Sequence, residues 1–179
     1  MKRIVVTGPI GAGKSELARG LGTRLGIRVL HLDTLFWKPG WVATPPGEWE
    51  ELQRRELAAP EWIVDSQADD MLPDWLHTAD AVVFLDASPL RCLWRVGRRR
   101  LKRRTSVGVP AETRPAPVHR ALLKFVRNQW RYRRRVRSEL LGELARDRDG
   151  RRVVILRRRD ETAAFVQRLD SPEQPEGTM

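Results

Sequence analysis

The chain has a single cysteine, Cys92, which excludes an intramolecular disulfide and any cysteine-cluster metal site and fits a reducing compartment. Its expected role is packing as a small buried hydrophobe. No apolar run approaches the roughly 18 residues of a membrane span. Met1-Lys2-Arg3 passes straight into a short strand-like run without a signal-peptide core, so the expectation is a cytoplasmic protein with no membrane partner. The three histidines, His31, His77 and His119, share no metal-ligand spacing, and none is assigned a role. Lysine is scarce as well: nearly all of the 34 basic residues are arginine, set against 23 acidic ones, for a net charge of +11. That excess implies an anionic partner, because the guanidinium suits bidentate phosphate contacts. Nucleotides, nucleic acid and acidic surfaces all satisfy it.

What is present is a repeating alternation of short apolar runs and helical stripes, without internal repeats, in 179 residues of which 41% are apolar. That is enough for one core. Strands are predicted at Ile4–Val6, Ile27–Leu32 closing with Asp33, Trp62–Asp65, Ala81–Asp86 and Arg152–Leu156. Helices are predicted from Lys14 to a stop at Gly26, from about Gly47 to Ala59, as a turn over Met71–His77, from Pro89 to about Arg100, from His119 onward, and over Glu161–Leu169. The Pro89 helix is given the apolar stripe Leu90, Leu93, Trp94, Leu101. The His119 helix is given a stripe through Leu122, Phe125, Val126, Trp130, Val136, Leu140, Leu141 and Leu144, with Arg131–Arg137 on its exposed remainder. Phe36 to Trp41 reads as an aromatic loop around Pro39-Gly40, its rings either packing on the sheet or walling an acceptor. The organisation expected is one domain over 1–170, with a proline-rich flap or lid at about 98–118 and a disordered polar tail over 171–179. Such alternation means an α/β, three-layer architecture with a five-stranded parallel sheet. Its ligands bind at the C-terminal strand ends, here Gly8, Asp33, Asp65, Asp86 and the segment after Leu156.

Gly8-Pro9-Ile10-Gly11-Ala12-Gly13-Lys14-Ser15 matches the complete phosphate-binding-loop pattern between a strand and a helix. Glycines let backbone N–H groups converge on phosphate oxygens, and the helix N-terminus adds positive potential. In that pattern Lys14 reaches the β- and γ-phosphates of ATP and the Ser15 hydroxyl coordinates Mg²⁺. Asp33, at the end of the second strand, is the candidate to orient a phosphoryl acceptor, the competing role being a turn cap. Asp65 is the candidate to hold a magnesium-bound water. Asp86 is the other carboxylate so placed, and its expected role is to cap the Pro89 helix. Arg95, Arg98 and Arg99, running into Lys102, Arg103 and Arg104, form an arginine-rich lid candidate that neutralises charge on a transferring group, or else a solvated basic face.

Met1–Ser15, then His31-Leu32-Asp33 leading to Leu35-Phe36-Trp37-Lys38-Pro39-Gly40-Trp41, with Trp62–Asp65, Val83–Asp86, Cys92–Arg95 and Arg151–Arg159, resemble the adenylate-kinase-related DNA topology modulation proteins (FlaR-like) over about residues 1–169. The resemblance implies a P-loop NTPase fold of the nucleoside- and nucleotide-kinase type with ATP or a related nucleotide as donor. It sets Arg95 where such proteins place an adenine-facing arginine. It does not imply the acceptor: a nucleotide, a nucleoside and a small hydroxyl metabolite all remain. Where the group tends to carry Asp-Gly-Asn-Tyr, this chain has Asp65-Ser66-Gln67-Ala68, a departure on the acceptor side. Two functions follow. One is an ATP-dependent kinase acting on a small acceptor; the other is a nucleic-acid-associated regulator in which the nucleotide is a switch, motivated by the charge, by Arg131–Arg137 and by the group's name.

Overall fold

A computed structural model describes residues 1–40, 42–66, 73–101, 126–127, 130, 132, 137–146 and 152–168, of which 73, 74, 99–101, 139 and 143–146 by backbone only. Trp41, the flap beyond residue 101, the start of the His119 helix and the 171–179 tail lie outside them.

The strands of the main sheet are β1 (Arg3–Thr7), β2 (Val29–His31), β5 (Trp62–Asp65), β6 (Ala81–Leu85) and β7 (Arg152–Leu156). They align in parallel in the order β2-β5-β1-β6-β7. Parallel neighbours require crossovers, and the helices α1 (Lys14–Leu25), α3 (Pro46–Leu57), α4 (Pro73–Thr78), α5 (Pro89–Leu101), α6 (Arg137–Arg146) and α7 (Arg159–Arg168) lie between or after them. The expected α/β architecture and its five-stranded parallel sheet are therefore present.

β1 lies at the centre, and its continuous apolar run is explained by burial on both faces. Val5 points into a cluster with Trp62, Val64, Trp75, Val82 and Phe84. Ile4 and Val6 point into the other, with Leu17, Ala18, Leu21, Ile63, Val83 and Cys92. α1 ends where expected: Gly26 adopts φ 69° and returns its N–H to the Gly22 carbonyl.

Three expectations need correction. The second strand stops at His31, and Asp33 falls in the first turn of a short helix, α2 (Leu32–Phe36). The aromatic loop is an antiparallel hairpin, β3 (Trp37–Lys38) with β4 (Val42–Ala43), turning at Gly40 with φ 78°. Its base is pinned by Thr44, whose Oγ1 and N–H both donate to the Phe36 carbonyl, at 2.7 and 2.9 Å. Phe36 packs edge-on against Trp37 and Trp49, whereas Trp37 itself is 36% exposed.

The third correction concerns α5. Leu90 and Trp94, given to the buried stripe, are 79% and 60% exposed, while Cys92 is fully buried. The reason is the closeness of the helix to the phosphate-binding loop: a Cβ on Gly11 would lie 2.7 Å from the Cys92 carbonyl, a spacing that only small residues allow. The stripe assigned to the last long helix is likewise incomplete. Leu140 is buried, but Val126 and Trp130 are exposed, and Tyr132, from the supposedly solvated stretch, is buried.

Candidate functional site

The loop between β1 and α1 is built on backbone that side chains rarely tolerate. Gly8 has φ 148° and a Cβ there would sit 2.6 Å from the Leu85 carbonyl. Gly13, the α1 N-cap residue, has φ 104°. The Ala12 N–H returns to the Pro9 carbonyl at 3.1 Å, and the Lys14 ammonium, 9% exposed, donates to the same carbonyl at 3.3 Å. Pro9, Ile10 and Gly11 complete the arch, which opens onto the N-terminus of α1.

β-sheet register carries Asp65 to this loop. Asp65 pairs with Val6 on one side and with His31 on the other. Its carboxylate, 7% exposed, lies 2.7 Å from His31 Nδ1, with the Ser15 hydroxyl and the Lys14 ammonium near enough to act on it. Burial pushes the Asp65 carboxyl up, but the hydrogen bonds from His31 and Ser15 and the positive charge of Lys14 outweigh it, and the group is held below its ordinary value. Lys14, Ser15, Asp65 and His31 thus form one polar cluster at the C-terminal end of three adjacent strands.

The remaining sequence candidates are distributed around it. Asp33 is exposed, two residues beyond His31. Arg95 does not stand in a mobile flap: its Nη1 donates to the Ala12 carbonyl at 2.6 Å and its Nη2 to Glu16 Oε2 at 2.9 Å. Arg98 lies over the exposed Trp94 ring, 5.2 Å from its centroid. Arg99 belongs to α5 by backbone, and its side chain falls outside the described residues. Asp86 is not the cap of α5. Ser88 takes that place, its carbonyl receiving the Cys92 N–H at 3.0 Å and its Oγ the Arg91 N–H at 3.4 Å.

Asp86 instead forms a bidentate pair with Arg137 at 2.8 and 2.7 Å, with Arg157 at 3.6 Å. The Arg137 hydrogen bonds, opposed by partial burial and aided by Arg157, hold its carboxyl below the ordinary value. Tyr132 lies in the same neighbourhood. Burial first and the Asp86 charge second push its phenol well above the usual range, and its hydroxyl has no hydrogen-bond partner among the described residues.

Two of these residues escaped sequence reasoning. His31 was passed over because its partner lies 34 positions away; the only available signal was its place at a strand end. Arg137 was hidden in a basic run that reads as a solvated face.

Oxygen donors suit Mg²⁺, and Ser15 and Asp65 supply a hydroxyl and a carboxylate close enough for the hydroxyl to lower the Asp65 carboxyl. Among the described residues no group of three or more His, Cys, Asp or Glu side chains could hold a metal ion. The pair therefore fits a cation shared with phosphate oxygens rather than an all-protein cage.

The fold and this loop define a P-loop kinase fold. The chain is similar to shikimate kinase from Bacteroides thetaiotaomicron, with TM-score 0.51 and 18% identity over 94% of this chain and 96% of that one. It is also similar to a gluconokinase from Sinorhizobium meliloti 1021, with TM-score 0.50 and 16% identity over 94% and 93%. At such identities the likeness shows the fold alone. No protein-family model matches the chain, and no curated protein matches it. No described helix is long and apolar enough to cross a membrane.

Proposed function

We propose that the chain is an ATP-dependent phosphotransferase that moves the γ-phosphoryl group of ATP to a small acceptor. The observation that carries this reading is the convergence of Lys14, Ser15 and Asp65 at the mouth of a complete phosphate-binding loop. Residues Gly8–Ser15 hold the phosphates, Lys14 reaching the β- and γ-oxygens. Ser15, through its hydroxyl, and Asp65, through a water, would hold Mg²⁺, which would neutralise developing phosphate charge. Arg95 keeps the loop in shape and borders the nucleotide, and Arg99 and its neighbours close over the phosphates. Asp33 orients the acceptor from the first turn of α2.

In the transfer, an acceptor oxygen forms a bond to the γ-phosphorus as the bond to the β–γ bridging oxygen breaks. ADP leaves with that electron pair, and the acceptor proton, lost late in a loose transition state, goes to water. The finer kinship with the DNA topology modulation (FlaR-like) group rests on the segment His31 to Trp41, and the two solved kinases share the fold alone.

A transfer screen with ATP, Mg²⁺ and panels of nucleotides, nucleosides and small hydroxyl metabolites tests the reading, with Lys14→Ala as control. An acceptor-dependent product that the control fails to make is expected. Hydrolysis at the same rate with every acceptor would overturn it.

A further inference from the structure

We propose that the outward side of α5 binds a single-stranded polynucleotide, one base stacking on Trp94 and the flanking phosphates meeting Arg91 and Arg98. This surface is distinct from the phosphate-binding loop, and the inference does not depend on the phosphotransferase reading.

The two sides of α5 are occupied differently. Its inward side faces the loop: a Cβ on Gly11 would meet the Cys92 carbonyl at 2.7 Å and the Val96 side chain at 3.0 Å, and Arg95 bonds Ala12 and Glu16. Leu90, Trp94 and Arg98, spaced four residues apart, form a row on the opposite side, with Arg91 beside it. Leu90 is 79% exposed and Trp94 60%, and Arg91 and Arg98 are exposed as well. Leaving a leucine and a tryptophan in water one turn apart is unfavourable, and a ligand that covers them recovers that free energy.

Charge selects the occupant. Pro89–Leu101 carries Arg91, Arg95, Arg98, Arg99 and Arg100 and no acidic residue, in a chain of net charge +11. A second copy would bring like charge to this face, so self-association is opposed and an anion is favoured. Arg98 lies over the Trp94 ring, 5.2 Å from its centroid, and steadies the indole as a platform. Arg91 donates one bond to the Arg157 carbonyl at 3.1 Å, which leaves further guanidinium N–H groups for a phosphate.

An aromatic plane between two guanidinium groups matches an anionic chain that carries planar bases. A leucine 79% exposed stands on a ridge, whereas an amphipathic peptide helix needs an apolar groove. In a duplex the bases are already paired and stacked, so a single strand is the form able to lay a base on Trp94.

The test measures anisotropy of labelled single-stranded DNA and RNA of about 12 nucleotides at about 50 mM salt. The unaltered chain is compared with Trp94→Ala, Trp94→Phe and Arg91→Gln. An abasic strand of equal length reports what the basic surface binds without stacking. A duplex and phosphatidylcholine–phosphatidylserine vesicles complete the panel.

The unaltered chain should bind the base-bearing strand about tenfold tighter than the abasic one; Trp94→Ala should abolish that preference and Trp94→Phe keep most of it. Arg91→Gln should lower the slope of log affinity against log salt by about 0.7. Saturating ATP with Mg²⁺ should leave the strand bound, because the row is turned away from the loop. The DNA and RNA arms separate two sources of the same chemistry, and a preference for either supports the proposal. Equal affinity for base-bearing and abasic strands would overturn it, as would an unaltered preference in Trp94→Ala or displacement by ATP. So would a duplex bound as tightly as the single strand, or vesicles bound through Trp94 in its place. Arg91→Gln keeps the test independent of how Trp94→Ala folds, and an unaltered salt slope there would also overturn the proposal.

Discussion

Arg95 ties α5 to the phosphate-binding loop: one guanidinium nitrogen donates to the Ala12 carbonyl at 2.6 Å and another to Glu16 at 2.9 Å. A residue expected to close over the nucleotide therefore helps hold the loop in shape, because its side chain reaches the carbonyl one residue before Gly13. Arg95→Ala should weaken ATP binding about tenfold and lower stability by about 1 kcal/mol, the scale of one charge-assisted bond. Titration calorimetry and thermal melts check both. An unaltered affinity would show that loop geometry does not depend on this contact.

Removing the loop ammonium should have a more selective effect. Lys14→Ala is expected to cut turnover at least about 100-fold while leaving the circular dichroism spectrum unaltered, since the ammonium bonds the Pro9 carbonyl within its own loop. Retained phosphoryl transfer would remove Lys14 from the reaction.

Gly8→Ala should destabilise the chain itself. The added Cβ would meet the Leu85 carbonyl at 2.6 Å on backbone with φ 148°, a cost of about 2 kcal/mol. Urea unfolding should show a lower midpoint with an unaltered slope.

Acid stability should follow Asp65 and Asp86. Both carboxyls are depressed in the folded chain, so their contribution is fully present above the unfolded value near pH 4 and is lost as pH falls below it. Asp86→Asn breaks the bidentate pair with Arg137 and should cost about 2 kcal/mol at pH 7. Its stability should also fall less steeply than the wild type's between pH 4 and pH 2. Melting temperatures across that range measure the difference, and parallel curves would contradict it.

The exposed face of α5 offers the converse check. Leu90→Ser and Trp94→Ala should each change stability by under about 0.5 kcal/mol, because 79% and 60% of these residues lie in water. A loss of about 3 kcal/mol from either would mean that the stripe is covered.

Local pattern was sufficient for the phosphate-binding loop, for the central strand and for the alternation that dictates a parallel sheet. Glycine spacing, runs apolar on both faces and a glycine stop all act within a few residues. The same kind of evidence placed Asp65 at a strand end. It placed Asp33 wrongly at another, because the difference between a last strand residue and a first helical turn is one or two positions of backbone that no side-chain period marks.

What only the tertiary structure decided is pairing across long separations. His31 meets Asp65 because β2 lies beside β5, Asp86 meets Arg137 across 51 positions of chain, and Arg95 meets Ala12 because Gly11 and Cys92 let α5 approach. A sequence shows which groups are able to donate, accept or carry charge. Which of them come within 3 Å is set by strand order and by small residues at close contacts, and those are properties of the whole packed chain.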